Sequence, residues 1–304
     1  MKKELGFIGL GKMGSQMVMN LLDKKYNVVV YNRSSEPVKN LTRKGAVSSD
    51  SIEDLVSILN SKPKVIWIMV TAGGAVDDMI RKLLPHLKPG DIIIDGGNSY
   101  YKKSNKRYLN LKKKGINFID CGVSGGITGA RNGACMMVGG DKTTFRKVEN
   151  LFKSMCVKDG YAYMGYAGAG HFVKGIHNAV EYGMLGALNE GMEAIKSMEK
   201  TYKTDLSEVA KVYNNGSIIE GRLTNWLYTS FKKPNYLSET SCVVPYGETE
   251  KEMKEIERNF KMPVLRAARL MRVNSRKGTI CGKFISAVRH EFGGHKRGKN
   301  KNNS

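Results

Sequence analysis

A chain of 304 residues with 41% hydrophobic content can bury a full core and divides most naturally into two domains of a soluble globular protein. No apolar run approaches the roughly 20 residues of a membrane helix, and the charged start runs into a glycine-interrupted stretch too short for a secretion signal. Fifty Lys and Arg against 28 Asp and Glu leave +22, but the lysines are scattered rather than gathered with aromatics into a stripe, so a basic surface attracting anionic substrates accounts for the charge as well as nucleic-acid binding does.

Leu5-Gly-Phe-Ile-Gly9 reads as a short buried strand. Gly9-Leu10-Gly11-Lys12-Met13-Gly14 follows, then an amphipathic helix through Leu22 and a second strand at residues 28–31. Strand, GxGxxG, helix and strand in this order predict a dinucleotide site. The glycines allow a tight turn and a close approach of backbone to a pyrophosphate, whose charge sits at the helix amino terminus. Outside that context the same glycines would be an ordinary turn. The end of the second strand distinguishes the cofactor. An NAD site favours an acid there to hold the ribose hydroxyls, whereas this chain has Asn32-Arg33-Ser34-Ser35. A guanidinium and two hydroxyls suit the 2′-phosphate of NADP; the bland reading is a surface arginine on a turn.

Further strands are predicted at residues 65–70, 91–95 and 117–120, with helices at 51–59, 76–84 and 102–114. This alternation predicts an α/β class, with a Rossmann-like doubly wound parallel sheet in an amino-terminal domain of residues 1–165. Ligands bind such sheets at the carboxyl ends of the strands. Three loops fall there: Val70-Thr71-Ala72 with its glycines, Gly96 to Tyr101 with Asn98, and Cys121 to Gly126 with Ser124, Gly125 and Gly126. Each alone is a common turn; together they set small polar groups along one edge.

Beyond Gly165 the pattern turns helical. Gly168-Ala-Gly-His-Phe-Val-Lys-Gly-Ile-His-Asn-Ala-Val-Glu-Tyr-Gly183 reads as a glycine loop opening onto a helix that runs to about Lys200. Lys174, Asn178 and Glu181 recur at i, i+4 and i+7 and share one face, with His177 beside them. The helical rise sets Lys174 and Glu181 about 10 Å apart, close to the length of a small sugar phosphate. Phe172, Ile176, Ala179, Gly183, Ala187 and Ala194 make the opposite face apolar or small, and Leu185, Leu188 and Ile195 make the helix apolar nearly all round further on, as in a buried central helix. The competing reading is a set of satisfied core polar groups, or a solvated stripe.

Helical patterns continue at residues 206–213, 218–231 and 249–274, interrupted at Pro263, and Arg289 near the end could grip a phosphate bidentately. An all-helical carboxyl-terminal domain of residues 166–294 is expected, with a substrate cleft beside the sheet domain and a basic, disordered tail over 295–304. Cys121, Cys135, Cys156, Cys242 and Cys281 show no CxxC pair or metal-ligand spacing and read as reduced thiols of a cytoplasmic protein.

The motifs GFIGLGKMG, YNRS, AGGAVD, IIIDGGNSYY, GVSGG, GAGHFVKGIHNAVEYG and RHEFGGH resemble the decarboxylating 6-phosphogluconate dehydrogenases of the shorter length class, in the β-hydroxyacid dehydrogenase superfamily. The similarity runs from Gly6 to His295, and its HFVK–HN–EYG block is far more discriminating than GxGxxG. The resemblance implies oxidation and decarboxylation of 6-phosphogluconate to ribulose 5-phosphate in the pentose phosphate pathway, with NADP and without a metal. By the same resemblance Lys174 is the general base and acid, and Glu181 the proton donor to the enediol. Asn98, Ser124, Gly125, Gly126, His177, Asn178, Tyr182 and Arg272 match substrate-contact positions. The Gly9 to Gly14 loop, Asn32 to Ser34, Val70 to Ala72 and Asn98 match cofactor positions. Arg289 and His295 match a pair that family members lend across a dimer interface, which implies a homodimer or homotetramer with inactive monomers. Two departures stand out. Thr71 replaces a common lysine, and Gly247-Glu-Thr-Glu-Lys-Glu252 replaces a basic-Trp-Thr motif, leaving Lys251 as the candidate for a displaced phosphate ligand. The rival readings are a 3-hydroxyisobutyrate-type dehydrogenase and a basic nucleic-acid-binding module on a degenerate dehydrogenase fold. Glu181 with Arg289 and His295 weighs against the first, and the retention of both Lys174 and Glu181 against the second.

Overall fold

In the computed structural model, residues 3–236, 238–247 and 249–295 are described. The chain divides into two units, Met1–Gly175 and Ile176–Ser304. In the first, the apolar runs Val28 to Val30, Val65 to Ile68 and Ile92 to Ile94 are all fully buried, as strands covered on both faces must be. They belong to β1 (Glu4–Ile8), β2 (Asn27–Tyr31), β3 (Val47–Ser48), β4 (Val65–Ile68), β5 (Ile92–Asp95), β6 (Asn117–Ser124), β7 (Ala134–Gly140) and β8 (Cys156–Gly165). These strands form one sheet in the order β3-β2-β1-β4-β5-β6-β7-β8. Between them run α1 (Lys12–Asp23), α2 (Ser35–Thr42), α3 (Ile52–Ile58), α4 (Gly74–Leu83), α5 (Tyr101–Lys112), α6 (Gly126–Asn132) and α7 (Lys142–Met155).

The sheet is the expected Rossmann-like, parallel-dominated one, parallel through β6 and with one reversal at its far end. There β7 runs antiparallel to β6, and β8 runs parallel to β7. The connection explains the reversal. A parallel neighbour needs a crossover of a dozen or more residues, and only the seven-residue α6 intervenes. Antiparallel pairing also recruits Cys121 to Ser124 into β6, so this stretch is strand where a loop is expected. The sequence pattern misses β7 and β8 because Cys, Met and Gly in Ala134–Gly140 carry little strand preference of their own.

α8 (Ala169–Ser197) begins in the first unit and continues into the second. The helical unit adds α9 (Glu199–Tyr202), α10 (Leu206–Tyr213), α11 (Arg222–Phe231), α12 (Thr249–Asn259), α13 (Pro263–Arg276) and α14 (Lys283–Gly293). Pro263 takes the first position of α13, where its missing N–H costs nothing. α11 starts later than the pattern suggests, because Ile218 and Ile219 are exposed rather than packed. Leu185, Met192, Leu227, Phe284, Ile285 and Val288 form its main core.

α8 buries its polar face and part of its small-residue face, Ala179 included. Lys174, Asn178, Tyr182, Leu185, Asn189 and Met192 are buried, whereas Val180, Met184, Ala187 and Ala194 are exposed. A solvated polar stripe is therefore excluded. No described helix is long and apolar enough to cross a membrane, and residues 296–304 of the basic tail lie outside the described residues.

The expectation of five reduced cysteines also needs correction. Cys242 and Cys281 form a disulfide with Cα atoms 4.4 Å apart, leaving Cys121, Cys135 and Cys156 as thiols. The pair is 39 residues apart, and only the packing of the loop before α12 against the start of α14 brings it together. Gly282 N donates to Cys242 O at 2.8 Å and Val244 N to Ser275 Oγ at 3.0 Å, so the loop is held on both sides of the link. In denaturant without reductant, three of the five cysteines should react with a thiol reagent. Cys242→Ser should lower the unfolding free energy by about 2–4 kcal/mol. Five reactive thiols before reduction would show that the link does not form.

Candidate active site

The glycine loop is shaped by what a side chain would strike. A Cβ at Gly9 would lie 2.3 Å from Met69 O, and one at Gly14 would lie 2.1 Å from Gly9 O, so strand, turn and helix touch through bare backbone. At Gly11 a Cβ would meet nothing within 4 Å. This open side faces no protein atom, and α1 begins there with neither an N-cap side-chain bond nor an acid in its first turn. A helix start with no side-chain cap and no acid in its first turn, reached over a glycine, is a place for an anion. Lys12 and Met13 are the first residues of that helix. Asn32 turns out to be a brace: its Oδ1 accepts from Leu10 N at 3.0 Å and its Nδ2 donates to Ser34 Oγ at 2.8 Å. Arg33 is exposed and lines a cavity of about 600 Å³ beyond the end of β2.

The loops after β4 and β5 share one anchor. Arg107, on α5 and nearly fully buried, donates to Asp95 at 3.0 Å, Ser99 at 3.0 Å, Asp77 at 2.7 Å and Gly73 O at 3.0 Å. Asp95 also accepts from Gly97 N at 3.1 Å and Ser99 Oγ at 2.8 Å. One guanidinium thus fixes the turn that carries Val70, Thr71 and Ala72 together with the turn that carries Asn98. Its fork of donors suits this task as a lysine's single ammonium does not.

At β6 the same edge receives the start of α8. The buried Asp120 carboxylate accepts from Gly168 N at 2.6 Å and His171 N at 2.9 Å, two amides that the helix cannot satisfy internally. His171 Nδ1 meets Ser104 Oγ at 2.7 Å and lies 4.0 Å from Asp120. A Cβ at Gly170 would fall 2.5 Å from Met137 O, and one at Gly122 would fall 2.3 Å from Lys174 Cβ. α8 therefore lies on β6 and β7 with no side chain between, and Lys174, 8% exposed, is seated directly over Gly122. Ser124 closes β6; Gly125 and Gly126 follow with φ of +111° and +65°, a consecutive left-handed pair that glycine adopts readily.

Along α8 in the helical unit, His177 Nδ1 and Asn178 Oδ1 are 3.3 Å apart, and Asn178 and Tyr182 are buried. Glu181 is half-buried. Tyr182 Oη shares a hydrogen bond of 2.9 Å with Thr249 Oγ1, and the Arg272 guanidinium lies 3.3 Å from the centre of the Tyr182 ring. Arg272 is 2% exposed, and its Nε and Nη2 have no hydrogen-bond partner among the described residues. Burial pushes its pKa down to about 10, with Arg289 adding to the fall and Tyr182, Glu181 and Glu250 opposing it. Arg289 donates to Pro245 O at 2.9 Å, and burial lowers its pKa against the opposing field of Tyr182, Glu181 and Glu250, with Arg276 adding to the fall. Arg276 pairs with the buried Glu250 at 2.6 Å.

Within its own chain's helical unit Arg289 is seated near Tyr182 and Arg272, because α14 packs there and Gly247 leaves room for its Nη2. Lys251 is exposed on α12, and the residues of that altered segment that reach inward are Thr249 and Glu250. Sequence reasoning missed Arg107, Asp120, His171 and Arg276. Gly-Ala-Gly-His ahead of the lysine is the one local signal of a capped, backbone-packed helix start.

Residues 4–168 match the family described as the NAD binding domain of 6-phosphogluconate dehydrogenase. YqeC of Bacillus subtilis, whose name provisionally places it in that family, is 39% identical over 295 residues, covering 96% of this chain and 98% of its own. The NAD(+)-dependent, decarboxylating 6-phosphogluconate dehydrogenase of Haloferax volcanii is 35% identical, covering 96% and 97%. The chain spans 45% of the length of decarboxylating 6-phosphogluconate dehydrogenase 2 of Saccharomyces cerevisiae, at 39% identity. Among solved structures, the Plasmodium falciparum 6-phosphogluconate dehydrogenase superposes with a TM-score of 0.79 at 28% identity, covering 99% of this chain and 67% of that one. The 3-hydroxyisobutyrate dehydrogenase of Mycobacterium tuberculosis shares the fold, with a TM-score of 0.73 at 19% identity over 95% and 98% of the two chains.

Two glycine replacements separate packing from binding. Gly122→Ala should cost about 1–3 kcal/mol in urea unfolding, because its methyl meets Lys174. Gly11→Ala should leave stability within about 0.5 kcal/mol but weaken dinucleotide binding measured by calorimetry. Unchanged binding in Gly11→Ala would remove the open face of this loop from the site.

Proposed function

The chain belongs to the 6-phosphogluconate dehydrogenase family, and from that premise we propose that it oxidises and decarboxylates 6-phosphogluconate to ribulose 5-phosphate and CO2, with NADP. The observation that carries this reading is the anion site of the helical unit. A buried Arg272 with two nitrogens lacking hydrogen-bond partners among the described residues, stacked on Tyr182 and close to Arg289, holds a charge that burial makes costly until an anion meets it. A phosphate supplies both the charge and the acceptors, in the planar geometry guanidinium groups match best. A 3-hydroxyisobutyrate-type substrate carries no phosphate and would leave these donors unmet.

A dinucleotide fits the first unit on the open side of Gly11 and the uncapped start of α1. When bound, the nicotinamide supplies the hydride acceptor. Arg33, with no acid at the end of β2, favours NADP, whereas the Haloferax relative is NAD-dependent.

The chain's own residues supply the proton chemistry. As the C3 hydroxyl of the substrate is oxidised, Lys174 Nζ takes its proton. The ammonium so formed hydrogen-bonds the new C3 ketone oxygen and stabilises the charge gathering there as the carboxylate leaves as CO2. Lys174 returns its proton to that oxygen, giving an enediol. Glu181 then protonates the carbon that becomes C1 of the product, while Lys174 takes back the enediol hydroxyl proton as the product ketone forms. His177 and Asn178, one turn along from Lys174, orient the reacting hydroxyl and carboxylate. Tyr182 lies eight residues beyond Lys174 on the same helix, about 12 Å along its axis.

Steady-state assays with 6-phosphogluconate and 3-hydroxyisobutyrate, each with NADP and NAD, test the proposal; turnover of the second substrate alone would overturn it. Lys174→Met should abolish hydride transfer and decarboxylation together. Glu181→Gln should mainly slow proton incorporation at C1 of ribulose 5-phosphate, and equal loss in every partial reaction would refute the division of roles. Arg272→Met should raise KM for 6-phosphogluconate about tenfold or more, while dinucleotide affinity stays unchanged.

A further inference from the structure

The cavity beyond the end of β2 carries an inference that rests on the NADP reading and extends it. Its volume is about 600 Å³, and it opens between the ends of β2 and β3 and the flank of α2. The strand end at residues 32–34 is the expected grip for a 2′-phosphate, but Asn32 is engaged in holding Leu10 and Ser34. What lines the cavity instead, besides Arg33, is a pair from the helix: Lys39 and Arg43, four residues apart along α2 and its carboxyl-terminal cap, with the Ser35 and Thr42 hydroxyls. Asp50 is the one carboxylate in the lining.

Lys39 and Arg43 at i and i+4 repel each other on one helix face, and Arg33 brings a third positive charge to the same space. Among the described residues none of the three forms an ion pair with a carboxylate, Asp50 included. Against the single charge of Asp50, the lining keeps an excess of two positive charges, the complement of a phosphomonoester near neutral pH. The lining also offers hydroxyl donors, and it lies beside the strand end where a bound dinucleotide presents its adenosine ribose.

We infer that Lys39 and Arg43 complete, with Arg33, a three-cation subsite for the phosphate on the adenosine 2′-oxygen. Preference for NADP over NAD is then set by α2 as much as by the strand end. Arg33 alone does not account for it. All three side chains are exposed and make no packing contact that folding depends on, so they can be replaced without disturbing the sheet.

Calorimetry on the full chain with 2′,5′-ADP and with 5′-AMP tests this without turnover. The unaltered protein should bind 2′,5′-ADP at least about tenfold more tightly, and the gap should shrink as salt is raised. Lys39→Ala with Arg43→Ala should weaken 2′,5′-ADP about tenfold and leave 5′-AMP unchanged; Arg33→Ala alone should cost about fivefold. If the double variant keeps its affinity while Arg33→Ala loses it, the helix pair is not part of the subsite and the inference falls, with the NADP reading intact. If the double variant loses both ligands equally, the pair serves the nucleotide in general, and the inference falls likewise. If the unaltered protein does not prefer 2′,5′-ADP, the NADP reading itself is wrong and this inference goes with it.

Discussion

The Asp120 carboxylate, buried within the sheet, accepts the amides of Gly168 and His171, and the placement of Lys174 depends on that contact. A helix start leaves amides unsatisfied and carries positive partial charge, and a buried carboxylate lacks water to solvate it. Each group answers the need of the other. The approach is close enough to work only because Gly122, Gly139 and Gly170 remove the side chains that would hold helix and strands apart. Lys174 then follows one turn later, with its stem against β6, where it has little freedom to move.

A second aspartate repeats the device one strand over. Asp95 and Asp120 are register partners on β5 and β6, both fully buried. Asp95 organises its following turn through Gly97 and Ser99, and its charge is met by Arg107, which also reaches the turn after β4. The carboxyl edge of the sheet is thus built by buried carboxylates that draw loops and a helix inward. Removal of either would leave its partners unsatisfied in a low-dielectric setting, which costs more than the bonds themselves contribute.

The helical unit solves a different problem, that of concentrating cations before the ligand arrives. Arg272, Arg276 and Arg289 gather near one another, and the fold offsets part of their repulsion with Glu250, Glu181 and the π-face of Tyr182. The compensation is incomplete at Arg272, whose Nε and Nη2 have no hydrogen-bond partner among the described residues. The disulfide between Cys242 and Cys281 ties down the loop whose Pro245 carbonyl receives Arg289, so the arginine's orientation is fixed by a covalent link as well as by packing.

Much of this was legible from residues alone wherever the information is local. The βαβ loop, the strand ends, and the shared face of Lys174, Asn178 and Glu181 follow from spacing, since glycine placement and the 3.6-residue turn act within a few positions. Which positions around the helix stay exposed did not follow, because Ala187 and Ala194 are small or apolar yet exposed, and side-chain character alone does not say what a neighbouring element covers. The antiparallel turn into β7, the Cys242–Cys281 link, the seat of Arg289 beside Tyr182, and the clasp of Arg107 on two loops all join residues distant in sequence. Such contacts depend on how whole elements pack, and no local periodicity encodes that. The sequence by itself determined which chemical groups the chain carries and on which helix; tertiary structure decided which of them are dry, which are paired, and which are left waiting for a ligand.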